Sequence, residues 1–265
     1  MTTPRLLNID RQDDIVLLEL NRPDKRNALN DQLIEELGAF FAQPPEGVRV
    51  IVLHGAGEHF CAGLDLFEMM AKPPRNAVEG QRRSRQWHRV FDLMQFGEVP
   101  IISVLKGGVI GGGLEIACAT HVRVSERSTF YQLPEGQRGI FVGGGGAVRV
   151  PRLIGPGRVV EMMLTARTYD AEQGVQLGLG HYVVDDGQGM AFALSLAKTI
   201  ASNAATSNYA IINGIHRIAE MSHAEGLFAE NVVAAMTGAD SAERIKGFFD
   251  QRRQQKSGQP PAAVD

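Results

Sequence analysis

Three things are scarce in this chain, and each shortage argues against a class of protein. Cys61 and Cys118 are the only cysteines, too few for a disulfide framework, which fits a reducing compartment. No apolar run reaches the length of about 20 residues that a transmembrane helix needs, and Met1–Arg5 lacks a signal-peptide core. A net charge of −3 gives no electrostatic case for nucleic acid. We therefore expect a cytoplasmic protein with no nucleic-acid or membrane partner.

Two familiar nucleotide-binding patterns are also missing, although glycine is abundant. The 30 glycines cluster, most densely in the stretch from Lys106 to Glu115, Lys-Gly-Gly-Val-Ile-Gly-Gly-Gly-Leu-Glu. No Gly-Lys-Ser/Thr follows there, as a phosphate loop requires, and the three consecutive glycines do not give the spacing of a dinucleotide fingerprint. The glycines therefore indicate a tight turn of some other kind.

The order of residues around this turn predicts a buried strand, a glycine turn and a buried helix. Ile101–Leu105 is an apolar run, and Leu114–Ala119 is a small apolar helical segment. Glycine lets a backbone approach a ligand closely, and the first amides of a helix are free donors. Such a turn suits an anion, or an oxygen that becomes negative in a reaction, and Glu115 places one carboxylate in it. The alternative is that the glycines only allow close packing and Glu115 reaches solvent.

Short strands and helices alternate along most of the chain. We predict strands at Ile15–Leu20 and Val48–His54, a helix capped by Asn30, a mobile loop over Ala71–Gly80 and a helix over Gln81–Phe96. From about residue 190 the pattern is helical throughout. The sequence thus predicts an α/β domain over residues 1–195 that holds the site, followed by a helical region over residues 196–265.

Five stretches of the chain form a recognisable series: Asn21–Leu29, Phe60–Leu66, Gly111–Glu115, Leu133–Glu135 and Gly143–Leu153. In this order they resemble motifs of the crotonase family, the enoyl-CoA hydratase/isomerase superfamily. Each motif alone is weak, but five in order are specific. The resemblance implies an α/β fold, a spiral of strand–strand–helix (ββα) repeats with a C-terminal helical trimerisation region. It also implies a homotrimer or a dimer of trimers, which the long apolar C-terminal helices favour.

The resemblance implies a reaction on acyl-CoA thioesters. In the family two backbone amides stabilise a thioester enolate, and by position these belong to Leu64 and Gly112. The catalytic carboxylates carry over to Glu115 and Glu135. Family hydratases use both carboxylates, whereas isomerases lack the one at Glu115, so having both favours hydration of a 2-enoyl-CoA or the reverse dehydration. No cofactor is implied, because coenzyme A is part of the substrate.

The resemblance also implies a set of substrate-binding residues, in which basic side chains suit the phosphates of coenzyme A. They are Arg22, Lys25, Arg26, Ala28, Ala62, Asp65, Leu66, Gly111, Pro134 and Gly143. The chain departs from the family at Ile140–Val142, beside the acyl pocket, so a chain-length preference does not transfer. Arg138 is a second departure, since an inward Arg138 would pair with Glu135 and lower its pKa.

Other functions remain open at this point. An isomerase or another lyase would rely mainly on Glu135, and a non-catalytic relative would bind acyl-CoA through the amides alone. Cys61 with His54 or His59 could form a nucleophile and base, but sequence proximity does not supply the geometry that this needs. The two histidines lack helical metal-ligand spacing, so we expect no metal site.

Overall fold

A computed structural model describes residues 5–257, without the side chains at positions 239, 240, 242, 243, 251 and 254–257. The chain divides into two compact units, one ending at Ser202 and the other beginning at Asn203. The domain boundary predicted at residues 195 and 196 would fall inside a helix, and the domain assignment stays a prediction. In the described part of the chain no helix is long and apolar enough to cross a membrane.

The described residues of the first unit form nine strands. They are β1 (Leu7–Gln12), β2 (Ile15–Leu20), β3 (Val50–Gly55), β4 (Ile101–Leu105), β5 (Gly108–Ile110), β6 (Val122–Glu126), β7 (Phe130–Gln132), β8 (Tyr169–Asp170) and β9 (Tyr182–Val184). Eight α-helices accompany them in the described part of this unit. They are α1 (Asp31–Ala42), α2 (Leu66–Ala71), α3 (Ala77–Gln95), α4 (Gly112–Ala117), α5 (Gly146–Ile154), α6 (Pro156–Thr165), α7 (Ala171–Leu177) and α8 (Gly189–Ala201).

Two sheets organise the strands. The larger has the order β1-β2-β3-β4-β6-β9, in which β1 is antiparallel to β2 and the other pairs are parallel. The smaller has the order β5-β7-β8, and two isolated parallel bridges, Cys61 with Val109 and Leu29 with Leu64, bring earlier segments alongside one another. Successive turns of the chain thus run from the large sheet to the small one and then into a helix. The predicted α/β organisation is confirmed.

The main core lies between the sheets and the helices beside them. Helix α1 shows why: Leu33, Ile34, Leu37, Phe40 and Phe41 recur on one face and are all buried, and Asn30 caps the helix by accepting a hydrogen bond from the amide of Leu33. A second apolar cluster packs α8 on the other face of the large sheet. Strand β4 is buried throughout and β3 at every position except His54, which is half-buried, as expected for parallel strands that are covered on both faces.

The second unit, as far as the structure describes it, is helical. It contains α9 (Ala205–Ile218), α10 (His223–Met236) and α11 (Gly238–Ser257). Ser222 begins α10 with a capping box, in which Glu225 reaches back to the amide of Ser222. The helical C-terminal region is therefore confirmed.

Three local features of the structure were not predicted correctly from the sequence: two strands were missed and one loop is partly helical. Strand β1 was not predicted, because only Leu7 of its six residues is buried and the pattern does not alternate. Strand β5 was not predicted either, because its glycine suggested a turn. The loop expected over Ala71–Gly80 is in fact partly helical, since α2 ends at Ala71 and α3 begins at Ala77, where Asn76 caps it.

Candidate active site

A cavity of about 160 Å³ opens where the start of α4 meets α3 and two loops. Eight of the residues predicted for the site line it: Ala62, Leu64, Leu66, Gly111, Gly112, Glu115, Glu135 and Gly143. Trp87, Ile140, Phe141 and Val142 supply apolar wall, and Arg83, Ser84 and Arg138 add polar side chains. The structure therefore brings together residues that are far apart in the sequence.

Glycines at the start of helix α4 let it pack closely against the segment around Cys61. Gly111 precedes the helix with a φ of +52°, a conformation that favours glycine. A Cβ at Gly113 would lie 2.2 Å from the carbonyl oxygen of Cys61, so no larger residue fits there without movement of the backbone. The helix consequently begins directly beside the segment that contains Leu64.

Two backbone amides at this junction have no acceptor among the described residues, those of Leu64 and Gly112. They lie near each other, because a Cβ at Gly63 would come within 2.9 Å of the Gly112 nitrogen. Both residues also line the cavity. A pair of free N–H donors at a cavity wall is suited to an oxygen that gains negative charge.

Glu115 is 3% exposed and has its carboxylate anchored at one oxygen. Oε1 accepts hydrogen bonds from the amides of Gly144, at 2.9 Å, and Gly146, at 2.6 Å. Burial raises the pKa of Glu115 to about 7, and the negative charge of Glu135 adds to this effect. The two N–H donors and the positive charge of Arg149 lower the pKa and so oppose it in part. Glu115 can therefore both gain and lose a proton near neutral pH.

Glu135 supplies the second carboxylate and is 5% exposed. Its Oε2 is buried and has no hydrogen-bond partner among the described residues, and a Cβ at Gly111 would lie 2.7 Å from its Oε1. Burial raises the pKa of Glu135, although the charge of Arg138 lowers it in part. Arg138 lines the cavity without forming an ion pair with Glu135, so the lowered pKa that an inward Arg138 would have caused is not found.

The turn at Gly144–Gly146 is held by Arg149, a residue that the sequence analysis missed. Arg149 lies on α5 and is 6% exposed. Its guanidinium donates to the carbonyl of Gly144 at 3.1 Å and to Oε1 of Gln95 at 2.7 Å, and it pairs with Asp92. The signal in the sequence was an arginine one turn after a glycine run, which alone also fits a solvent-exposed helix position.

The residues predicted to bind coenzyme A are divided between the cavity and a neighbouring loop. Arg22, Lys25, Arg26, Ala28, Asp65 and Pro134 do not line the cavity. Arg22 donates to the carbonyl of Ala28 and forms a 2.8 Å ion pair with Asp65, so its charge holds the loop to the start of α2. Lys25 and Arg26 are exposed, and the Lys25 ammonium lies over the ring of Phe67 at 5.5 Å.

The nucleophile and metal alternatives find no geometric support. Cys61 is fully buried, its thiol donates to the carbonyl of Asn27, and burial raises its pKa to about 12, so it is not activated. The ring of His59 accepts a hydrogen bond from the amide of Gly108, not from Cys61. In the part of the chain that is described, no three His, Cys, Asp or Glu side chains form a group that could hold a metal ion.

Comparison with known proteins gives consistent matches across the chain. The family model described as enoyl-CoA hydratase/isomerase matches residues 10–258. A short-chain-enoyl-CoA hydratase of Clostridium acetobutylicum is 30% identical, over 91% of this chain and 96% of its own. A 2,3-dehydroadipyl-CoA hydratase of Escherichia coli is 32% identical, over 93% of this chain and 96% of its own.

Solved structures agree with these matches. A crystal structure of a Rhodopseudomonas palustris protein is 46% identical and superimposes with a TM-score of 0.89, covering 94% of this chain and 96% of that one. An enoyl-CoA hydratase of Bacillus anthracis is 28% identical, with a TM-score of 0.85, covering 97% of this chain and 98% of its own.

Proposed function

The chain belongs to the enoyl-CoA hydratase/isomerase family, and we propose that it is an enoyl-CoA hydratase. It adds water across the 2,3 double bond of an enoyl-CoA thioester, or removes water in the reverse direction. The observation that carries this proposal is a single cavity wall with two free amides and two buried carboxylates. Both close relatives named above also carry hydratase names.

The two amides stabilise the enolate that forms during the reaction. The thioester oxygen accepts hydrogen bonds from the N–H groups of Leu64 and Gly112. As water attacks C3, negative charge moves to this oxygen, and fixed donors in a cavity with apolar walls stabilise that charge strongly. Removing one such donor typically costs about 10²- to 10³-fold in rate.

The two carboxylates divide the proton transfers. Glu115 is the base, because two N–H donors stabilise its ionised form and its pKa of about 7 matches the working pH. It takes a proton from the water whose oxygen bonds to C3. Glu135 is the acid, because its buried Oε2 has no hydrogen-bond donor among the described residues to stabilise the ionised form, and it gives its proton to C2. The two groups then return to their starting states by exchanging protons with solvent.

The same observation weighs against an isomerase. An isomerase moves one proton between two carbons and needs one carboxylate, so a second buried carboxylate would only add a desolvation cost. A non-catalytic acyl-CoA-binding protein would need neither carboxylate. The presence of both at the cavity favours the hydratase.

The proposal also covers the cofactor requirement, the assembly and the binding of coenzyme A. The reaction as written uses only side chains and amides of this protein, with coenzyme A as part of the substrate. We propose that the protein works in the cytoplasm as a homotrimer or a dimer of trimers. Arg22, Lys25 and Arg26 would place positive charge near the phosphates of coenzyme A.

The test is a hydration assay with crotonyl-CoA, which follows the loss of absorbance of the conjugated enoyl thioester. Aryl, branched and carboxylate-terminated enoyl-CoA substrates extend the panel, since the wall formed by Ile140–Val142 and Arg138 departs from the family. We expect hydration of at least one of them, with the 3-hydroxyacyl-CoA identified by mass. Conversion of a 3-enoyl-CoA to the 2-enoyl isomer with no hydration of any substrate would replace the hydratase proposal with the isomerase.

A further inference from the structure

The turn that holds Glu115 depends on a side chain outside the cavity. The amides of Gly144 and Gly146 both point to Oε1 of Glu115, which requires the turn to keep a fixed shape. Gly145, between them, has a φ of +99°, and a Cβ there would lie 2.2 Å from Nη1 of Arg149. The turn is therefore closed around the guanidinium of Arg149.

Helix α3 fixes that guanidinium from the other side. Gln95 accepts a hydrogen bond from Nε of Arg149 at 2.7 Å, and Asp92 pairs with Nη2. Nη1 donates to the carbonyl of Gly144 at 3.1 Å. Burying an arginine is costly unless its donors are satisfied, and here all three nitrogens have partners. A planar fork with three directed contacts fixes a backbone turn better than a single flexible ammonium could.

We propose that Arg149 is a positioning residue for the hydration reaction. It locks the Gly144–Gly146 turn so that two amides bind Oε1 of Glu115 and leave Oε2 directed to the cavity for the reacting water. Arg149 touches neither the cavity nor the substrate site, since it does not line the cavity. Its effect reaches the chemistry only through the turn and through its charge.

The charge of Arg149 also acts on Glu115. The groups that affect this carboxyl electrostatically are Glu135, which raises its pKa, and Arg149, which lowers it, together with the amides of Gly144 and Gly146. Asp92 and Arg152 in turn act on Arg149. Replacing Arg149 with a neutral residue removes a stabilising charge and loosens the two hydrogen bonds, so both effects raise the pKa of Glu115.

The kinetic test rests on the proposed hydratase function and measures pH profiles of kcat and KM for crotonyl-CoA. In Arg149→Met we expect the acid limb of kcat/KM to move up by about half a unit or more, with kcat reduced about 10- to 100-fold and KM nearly unchanged. Arg149→Lys keeps the charge but not the fork, so its acid limb should move up less than in Arg149→Met, while kcat still falls. Arg127→Met is the matched control, because Arg127 is exposed and its ion pairs among the described residues are with Glu172 and Asp185 at the surface. It should match the wild type.

A second arm does not depend on hydration. Carbon-13 NMR of glutamate-labelled protein follows the carboxyl titration of Glu115, assigned with Glu115→Gln, and it should show the same upward shift in Arg149→Met. The proposal would be overturned if Arg149→Met folds but leaves the Glu115 titration and the acid limb of kcat/KM unshifted. If Arg149→Met does not fold, a wild-type kcat in Arg149→Lys would overturn it. If wild-type protein hydrates no substrate, the proposed function fails, and the NMR titration still decides the role of Arg149.

Discussion

At the scale of single residues, the acid–base behaviour of Glu115 results from opposing effects, of which burial is the largest. Burial disfavours its charge, while two amides aimed at Oε1 favour it. The result is a pKa of about 7, from an ordinary value of 4.5. A carboxyl group with this pKa is ionised in a useful fraction of molecules at neutral pH and can still receive a proton from water.

Glu115→Gln should lower kcat on an enoyl-CoA by about 10²- to 10⁴-fold with little change in KM, because the group acts on a proton in the transition state. In the wild type kcat/KM should fall as pH falls through about 7, because protonation removes the base. Steady-state kinetics between pH 5 and pH 9 measure both effects. Glu46→Gln, at an exposed position, is the control. Near-normal kcat in Glu115→Gln would mean that Glu115 only holds the Gly144–Gly146 turn.

The same substitution should change the pH dependence of stability. A carboxyl whose folded pKa is raised contributes stability that is full below its unfolded pKa and is lost as pH rises through the folded pKa. For Glu115 this contribution to the free energy of unfolding is lost between about pH 4.5 and about pH 7, and the loss amounts to about 3 kcal/mol. The difference in unfolding free energy between Glu115→Gln and wild type should therefore rise by up to about 3 kcal/mol in favour of the variant between pH 4 and pH 8. Urea unfolding measures it, and an unchanged difference would contradict the raised pKa.

The sequence predicted some site residues better than others for a physical reason. Glu115, Glu135 and Gly112 lie in short contiguous motifs, so local order sufficed to find them. Arg149 is held by Gln95 of α3, which lies 54 residues earlier in the sequence, so the contact is visible only in the folded structure. The surroundings of Gly112 could not be predicted from the sequence either. A Cβ at Gly112 would lie 2.9 Å from Trp87 and 3.4 Å from Leu29, and both residues are distant from it in the sequence.

At the scale of secondary structure, glycines decide how closely α4 can pack. In Gly113→Ala the new methyl would lie 2.2 Å from a backbone oxygen, which cannot move as a side-chain end could. We expect a loss of stability of about 2 to 3 kcal/mol or more, together with lost activity. In Gly157→Ala, in the first turn of α6, nothing lies within 4 Å of the methyl, so stability should rise by about 0.5 to 1 kcal/mol.

Urea unfolding followed by circular dichroism compares these two alanine variants with the wild type. They share the chemical change and differ only in the space around the methyl. Equal stabilities would mean that close packing of α4 against the Cys61 segment does not constrain the fold.

Prediction of elements followed how fully each one is buried. Strands β2 and β4 were predicted with their bounds, because strong apolar runs mark them. Strand β1 is held by pairing with β2 and not by its own pattern, since five of its six residues are exposed. Three-residue β5 exists because β7 pairs with it. Pairing across the chain cannot be deduced from a local window of sequence.

At the scale of the whole molecule, the helical unit after Ser202 leaves many large apolar side chains uncovered. Among its described residues, the exposed ones include Ile211, Ile215, Leu227, Phe228, Val232 and Met236. Ile212, on the same helix as Ile211, is buried. A groove with a cavity of about 300 Å³ runs between α9 and α10 and is lined by Ile211, Ile215 and Val233. Contiguous apolar surface of this kind is typical of an interface.

We therefore expect a homotrimer or a hexamer in solution, with Phe228, which is 73% exposed, as a principal contact. Phe228→Glu places a charge in that interface, and since an unpaired buried charge is strongly unfavourable, the variant should dissociate to monomers at micromolar concentration. Ala77→Glu, exposed in the first turn of α3 and outside the C-terminal helices, is the control and should keep the wild-type mass. Sedimentation velocity with circular dichroism separates dissociation from unfolding. A wild-type monomer would contradict the assembly, and a Phe228→Glu protein that remains a trimer would exclude this face of α10 as its interface.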